Sequence, residues 1–204
     1  GLTFEVDGQD LPVRAWRESR HHLIVPREMF NSEELGRFQF LVHDIRKREY
    51  RSVQFEDRFH PRDPIQENAW RALSQMDAGV LNLACGRGKS GLALKKGAQL
   101  GGPILIIVNN TGTLMQWKEE IEKFLGVPPE DVGIIQSKKF DWDRDIAIGT
   151  IQTLSKRSDQ WPQEFLDNWK LVIFDEAHHT SAKVFSSVLP LFPGCRLGLT
   201  ATVE

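Results

Sequence analysis

Leu83-Ala-Cys-Gly-Arg-Gly-Lys-Ser90 follows the apolar run Val80-Leu-Asn-Leu83 and leads into the helix-forming Gly91-Leu-Ala-Leu-Lys-Lys96. A phosphate cradle needs glycines that let backbone N–H groups turn inward, a helix N-terminus aimed at the anion, a lysine for the terminal phosphates and a hydroxyl for magnesium. Gly86, Gly88, Lys89 and Ser90 supply these parts in that order, with Cys85 and Arg87 between them. Leu83 stands where G-x-x-x-x-G-K-[ST] has its first glycine. A plain turn carrying an exposed lysine has a similar composition, but the strand-to-helix setting favours the cradle.

The surrounding pattern sets the fold. Short β-rich runs recur at Val80–Leu83, Ile104–Val108, Val132–Ile135, Ile146–Ile148, Leu171–Phe174 and Arg196–Leu199, and several alternate with helical periodicity such as Leu114–Leu125. Strand, helix, strand in series predicts a parallel sheet. Unbroken apolar strands belong to sheets covered on both faces, so residues 63–204 are expected to form a doubly wound α/β domain. Ligands of such sheets bind beyond the carboxyl ends of the strands, where the quoted loop falls. The turn-rich His60-Pro-Arg-Asp-Pro64 marks the boundary with residues 1–62, read as a small α/β or β-rich accessory unit. Within that unit lie the apolar His22-Leu-Ile-Val25, a helical pattern through Glu33, Leu35, Phe38 and Leu41, and alternation in Ser52-Val-Gln-Phe-Glu56.

Composition bounds the function. The chain has 204 residues, 40% hydrophobic and 26% charged, enough for one sizeable core and a small appended unit. Its 26 basic and 28 acidic residues produce no global positive field, so contact with nucleic acid must rest on local groups. Cys85 and Cys195 form no repeating pattern with histidine, which argues against a disulfide framework or structural zinc and for a reducing, cytoplasmic or nucleoid-associated setting. No stretch approaches the roughly 20 apolar residues of a membrane span. The start without Met and the abrupt Ala201-Thr-Val-Glu204 suggest a piece of a longer chain.

Phe174-Asp-Glu-Ala-His-His179 carries the second chemical signal. An apolar strand ending in two carboxylates places Asp175 and Glu176 at the sheet edge that the lysine loop faces. Burying such a pair is costly without a cation or hydrogen-bond partners. Magnesium held by Asp175, with Glu176 orienting and deprotonating water, satisfies that requirement. Asp175 as a simple helix cap is the bland alternative; its pairing with a lysine loop favours the first.

Gln66, Leu83–Ser90, Gln116-Trp117, Thr150-Ile-Gln152, Asp175-Glu-Ala-His178 and Leu199-Thr-Ala-Thr202 together resemble the first RecA-like, P-loop motor domain of superfamily 2 helicases and translocases, in the DEAH spelling. The resemblance covers about residues 60–204, and Leu83 suits that family's loop, written A/L/M-x-x-G-x-G-K-T/S. Within the family, Gln116-Trp117 and Asp175–Thr180 look most similar to the branch of xeroderma pigmentosum B, phage UvsW-type enzymes and restriction-type motors. The resemblance implies an ATP- and Mg²⁺-dependent helicase or double-strand DNA translocase, with DNA favoured over RNA. Gln66 would read adenine, and Gly86, Arg87, Gly88, Lys89 and Ser90 would bind the nucleotide. Ser90 and Asp175 would hold Mg²⁺, with Lys89, Asp175, Glu176 and His178 as the catalytic set. His178, Thr200 and Thr202 would link the γ-phosphate to nucleic-acid grip, and Thr111, Thr150 and Gln152 would touch the sugar-phosphate backbone. A second RecA-like domain is the implied partner; without its closing face, this piece is expected to bind ATP weakly and turn it over poorly. Two departures stand out: Asp63-Pro-Ile-Gln66 where many relatives have Arg-Pro-Tyr-Gln, and Asn109-Asn110 where relatives often have Pro-Thr.

Other residues have simpler readings. His21-His22 and His178-His179 lack metal-ligand spacing. Trp117, Trp142, Trp161 and Trp169 are expected in packing more than in base stacking. Arg46-Lys-Arg-Glu-Tyr-Arg51 is read as a solvated helix end, with a duplex-gripping patch as the alternative. A nucleic-acid-independent ATP switch or a non-motor binding module is the competing function; the lysine loop facing two carboxylates argues against a dead scaffold.

Overall fold

The structure, a computed structural model, describes residues 49–136, 139–156, 160–176 and 187–201, and the backbone of four short strands nearer the N-terminus. The chain divides into two compact units, residues 1–45 and 46–204. In the first, β1 (Thr3–Val6) pairs antiparallel with β2 (Gln9–Pro12), and β3 (Arg17–Glu18) with β4 (Leu23–Ile24). The helical pattern of residues 33–41, the histidines 21 and 22 and the side chains of Arg46, Lys47 and Arg48 lie outside the described residues.

The second unit is built on seven strands: β5 (Ala78–Asn82), β6 (Ile104–Val108), β7 (Gly133–Gln136), β8 (Lys139–Phe140), β9 (Ile146–Thr150), β10 (Leu171–Phe174) and β11 (Cys195–Thr200). Their order across the sheet is β5-β11-β10-β6-β9-β7-β8, parallel throughout except for the β7–β8 pair. Successive side chains of a strand face opposite ways, so each strand serves two cores. Ile104, Ile106, Ile148, Ile173 and Leu199 join Leu73, Leu92, Trp117, Ile121 and Leu125 on one face. Leu105, Ile107, Ala147, Val172 and Phe174 join Ile151, Leu154, Phe165, Trp169 and Phe192 on the other. Each fully buried aliphatic side chain contributes about 1.5–3 kcal/mol.

On the first face lie α1 (Pro64–Ser74), α2 (Lys89–Leu100) and α3 (Leu114–Leu125); α4 (Ile151–Lys156) and α5 (Gln163–Asp167) lie on the second. Asp63 caps α1 through Gln66 N (2.9 Å), and Pro64 occupies its first turn, where no N–H is needed. The buried Lys96 ties the end of α1 to α2 by donating to Ser74 O at 3.0 Å. The doubly wound parallel sheet is therefore the observed fold. The expectation of strands buried on both faces holds for β6, β9 and β10 but not for β5, an edge strand whose Val80 is 67% exposed.

Residues 49–62, assigned from the sequence to the accessory unit, pack on the α/β unit instead. Val53 N donates to Gly101 O (3.2 Å) and Arg58 N to Phe124 O (3.0 Å), so the segment runs across the ends of α2 and α3. Lys95 Nζ holds it by Asp57 (2.6 Å) and Phe59 O (3.1 Å), and Val53 and Phe59 are buried. The turn at His60–Pro64 lies inside the unit because apolar anchors precede it. Trp117 and Trp169 are core residues, while Phe140, Trp142 and Trp161 cluster around Phe165, with Phe140 and Trp161 stacked at 5.0 Å. No helix among the described residues is long and apolar enough to cross a membrane.

Candidate nucleotide-binding site

All strands but β8 run the same way, so their carboxyl ends share one edge of the sheet. Strand order then decides which loops meet. β11 alone separates β5 from β10, which brings the loop after β5, Leu83–Gly88, opposite Asp175 and Glu176. Between them opens a cleft of about 690 Å³ whose walls include Gly86, Gly88, Lys89, Ser90, Asp175 and Glu176, a volume within the usual range for small-ligand sites.

The loop is held from both ends. Leu83 N donates to Thr200 O (3.2 Å), and Arg87 N closes a turn onto Ala84 O (3.2 Å). Gly88, at φ +77°, is the N-cap of α2 and provides no capping side chain, so the helix opens with its N–H groups directed to the loop's interior. Gly86 has φ +72° and open space where a Cβ would stand. At Gly88 a Cβ would lie 3.0 Å from Gln66 Nε2 and 3.3 Å from the Phe59 ring. Lys89 Nζ bonds Leu83 O at 2.8 Å, which lays its ammonium along the loop. Arg87 pairs with Asp63 at 3.7 Å, joining the loop to the start of α1.

Gln66 is 1% exposed; its Nε2 donates to Arg87 O (3.0 Å) and its Oε1 accepts from Arg62 N (2.8 Å). The carboxamide thus braces the loop against the segment before α1, beside Phe59, whose ring meets Phe124 edge-on at 5.1 Å. Gly91 is what lets Phe59 lie there: a Cβ at that position would stand 2.2 Å from the ring.

Opposite the loop, Asp175 Oδ2 accepts a 2.8 Å hydrogen bond from Trp117 Nε1, and Asp175 N donates to Ile107 O (2.8 Å). Burial pushes the Asp175 carboxyl above its ordinary value and the neighbouring Glu176 charge adds to this, against the Trp117 hydrogen bond and the Lys89 charge. Glu120, on α3, also lines the cleft. Its carboxyl is likewise raised by burial and by the Asp175 charge, with the Ser90 hydroxyl acting the other way. Glu176 has φ +50°, the single positive φ at a non-glycine residue among those described. That conformation costs roughly 1–2 kcal/mol and persists only where the surroundings hold it. Half-buried carboxylates facing a lysine, a hydroxyl and an uncapped helix N-terminus are a donor set suited to a divalent cation and polyphosphate. Among the described residues no three histidine, cysteine or acidic side chains form a separate metal cluster.

Of the residues singled out from sequence, Gly86, Gly88, Lys89, Ser90, Asp175 and Glu176 line this cleft, with Gln66 behind it and exposed Arg87 on the loop. Thr200 is buried at the end of β11, between the two halves of the site. Thr111, Thr150 and Gln152 lie elsewhere on the same edge. Thr111 is exposed in a short 3-10 turn at Thr111–Thr113, which Asn110 caps through Gly112 N (2.9 Å). Thr150 is buried, its hydroxyl 2.8 Å from that of Thr153, while Gln152 is exposed. His178 and Thr202 lie outside the described residues. Phe59, Glu120 and the Trp117–Asp175 bond were not foreseen as parts of the site; the only hint was the Gln116-Trp117 motif three residues before Glu120.

A mostly parallel sheet with a glycine-and-lysine loop opposite paired carboxylates at its carboxyl edge is the arrangement of a RecA-like α/β domain. Residues 27–204 match the family described as type III restriction enzyme, res subunit (ResIII), and the chain belongs to it. It is 34% identical over 150 residues to a DNA 3'-5' translocase XPB2 of Sulfurisphaera tokodaii, covering 73% of this chain and 32% of that protein. It is 32% identical over 144 residues to a DNA 3'-5' helicase XPB of Kineococcus radiotolerans, covering 69% of this chain and 26% of the relative. The chain thus spans about a quarter to a third of the length of these relatives. The fold matches the UvsW helicase of bacteriophage T4 with a TM-score of 0.59 at 23% identity, over 74% of this chain and 56% of that one.

Proposed function

We propose that this chain is the ATP-binding half of a DNA motor, a helicase or double-strand translocase that couples Mg²⁺-dependent ATP hydrolysis to movement along DNA. The observation that carries it is the convergence of Lys89, Ser90, Asp175 and Glu176 on one cleft at the carboxyl edge of the sheet. The similarity to DNA helicases and translocases named XPB supports DNA as the track.

The loop N–H groups and the N-terminus of α2 bind the phosphates, and Lys89 exchanges its loop carbonyl for oxygens of the β and γ phosphates. Ser90 and Asp175 would hold Mg²⁺, which when bound would supply charge neutralisation at those phosphates. Trp117 keeps the Asp175 carboxylate turned toward the cleft. Glu176 orients water in line with the γ-phosphorus and takes its proton as the new P–O bond forms and the bond to the ADP oxygen breaks. Gln66 braces the loop at the adenine side. Thr111, Thr150, Gln152, Thr200 and, from the sequence, His178 and Thr202 form the route from phosphate to nucleic-acid backbone and to a second RecA-like domain. The setting is intracellular, where ATP and DNA meet.

Steady-state ATP hydrolysis by the full-length protein, with single-stranded DNA, duplex DNA or RNA and with Glu176→Gln as control, tests the reading. Stimulation by DNA that disappears in the control is expected. Hydrolysis indifferent to every polymer would point instead to a nucleotide switch.

A further inference from the structure

On the side of β10 away from the phosphate loop, β6 and then β9 continue the edge. Asn109, the first residue after β6, stands between the loops that leave these strands. Its Nδ2 donates to Glu176 O at 2.8 Å, and its own carbonyl accepts from Gln152 Nε2 at 2.6 Å. One half-buried side chain therefore holds the carbonyl of the residue with the strained left-handed backbone, while the same residue's main chain is held by an exposed glutamine on the first turn of α4. Asn110 fixes the next turn by accepting from Gly112 N (2.9 Å), and its carbonyl accepts from the Thr113 hydroxyl (3.2 Å), so Asn109 is anchored on its C-terminal side as well.

We propose that Asn109 is a positioning residue that sets the backbone of Glu176 and reports to it whether Gln152 is engaged by a polyanionic strand. This rests on the reading of Glu176 as the water-orienting base. A backbone phosphate oxygen bound by Gln152 draws its carboxamide away from Asn109 O, because the amide's two N–H donors sit on one nitrogen in a fixed plane and move together. Exchange of that bond changes the hold on Asn109, and through Nδ2 the hold on Glu176 O. Aspartate at position 109 has almost the same shape, but presents an acceptor to the Glu176 carbonyl in place of a donor.

The experiment compares wild type, Asn109→Asp, Asn109→Ala, Gln152→Ala and the double variant Asn109→Asp/Gln152→Ala in the full-length protein, with kcat and KM for ATP measured with and without duplex DNA. Asn109→Asp is expected to lower DNA-stimulated kcat about tenfold or more, since small misplacements of reacting groups have effects of that order. KM for ATP should stay within about twofold, separating a positioning effect from lost nucleotide binding. Gln152→Ala should lower the stimulation, and the double variant should fall no further than its worse parent. Asn109→Ala carries the same test if Asn109→Asp does not fold, and Gln152→Ala reads the other half of the link from an exposed position. An unchanged stimulated kcat, a rise in KM alone, or multiplying effects in the double variant would overturn the proposal. If Glu176→Gln hydrolyses ATP at the wild-type rate, the assignment of the base itself fails; if it is inactive while the position-109 variants behave as wild type, only the link is wrong.

Discussion

Trp117 donates its indole N–H to the Asp175 carboxylate at 2.8 Å, joining α3 to the end of β10 across the floor of the cleft. The indole is 3% exposed and belongs to the core between sheet and helices, so one side chain both packs the fold and orients the Asp175 carboxylate. Trp117→Phe keeps most of the packing and removes the donor. A hydrogen bond to a charged group is worth about 1.5–3 kcal/mol, so urea unfolding should show a loss of that order or somewhat less, with hydrolysis reduced as Asp175 loses its orientation.

Asp175→Asn should make the nucleotide-free protein more stable while abolishing hydrolysis. Burial raises the Asp175 pKa, so the folded state disfavours the charge and the ionised carboxylate subtracts stability above that raised value. Below the ordinary carboxylate range both folded and unfolded forms are neutral and the difference vanishes. Thermal midpoints measured in chelator should therefore favour the asparagine variant at neutral pH and converge with wild type as the pH falls toward 4 or so.

Gly91→Ala tests the seat of Phe59. The added Cβ would stand 2.2 Å from the Phe59 ring. Overpacking of this kind costs about 1–3 kcal/mol. In the double variant with Phe59→Ala the penalty of the alanine should largely disappear, a non-additivity that denaturant titration of the four proteins will show.

Gly86→Ala separates the fold from the ligand. At φ +72° an alanine is strained, but its Cβ meets nothing within 4 Å. Stability should fall by only about 1–2 kcal/mol, whereas binding of a fluorescent ATP analogue should weaken about tenfold or more, because the methyl group occupies space that backbone approach to the phosphates requires.

Alkylation of Cys85 offers a chemical test. The thiol is exposed in the loop after β5 and lines the cleft. N-ethylmaleimide treatment of a Cys195→Ser background should block binding of the analogue, and prior ATP should protect the thiol. Normal binding by fully labelled protein would contradict the placement of phosphates at this loop.

Local residue types determined much of this. Apolar runs bounded by glycine and polar residues made the strands of the sheet legible except β8, and Leu114–Leu125 forms a helix over the range its periodicity indicates. That Lys89, Ser90, Asp175 and Glu176 share one cleft was legible because all four follow strand ends, and strand ends are visible in sequence. What tertiary structure alone decided are contacts between residues distant along the chain: Phe59 on Gly91, Trp117 on Asp175, Asn109 between Glu176 and Gln152. The unit boundary after residue 45 belongs with them. A proline-rich turn at His60–Pro64 announces a change of direction, but only the burial of Val53 and Phe59 shows on which side of a boundary the preceding segment lies. Turn chemistry and periodicity act over a few residues and can be read along the chain; packing complementarity and long-range hydrogen bonds exist only once strand order has brought separate loops to one edge of the sheet.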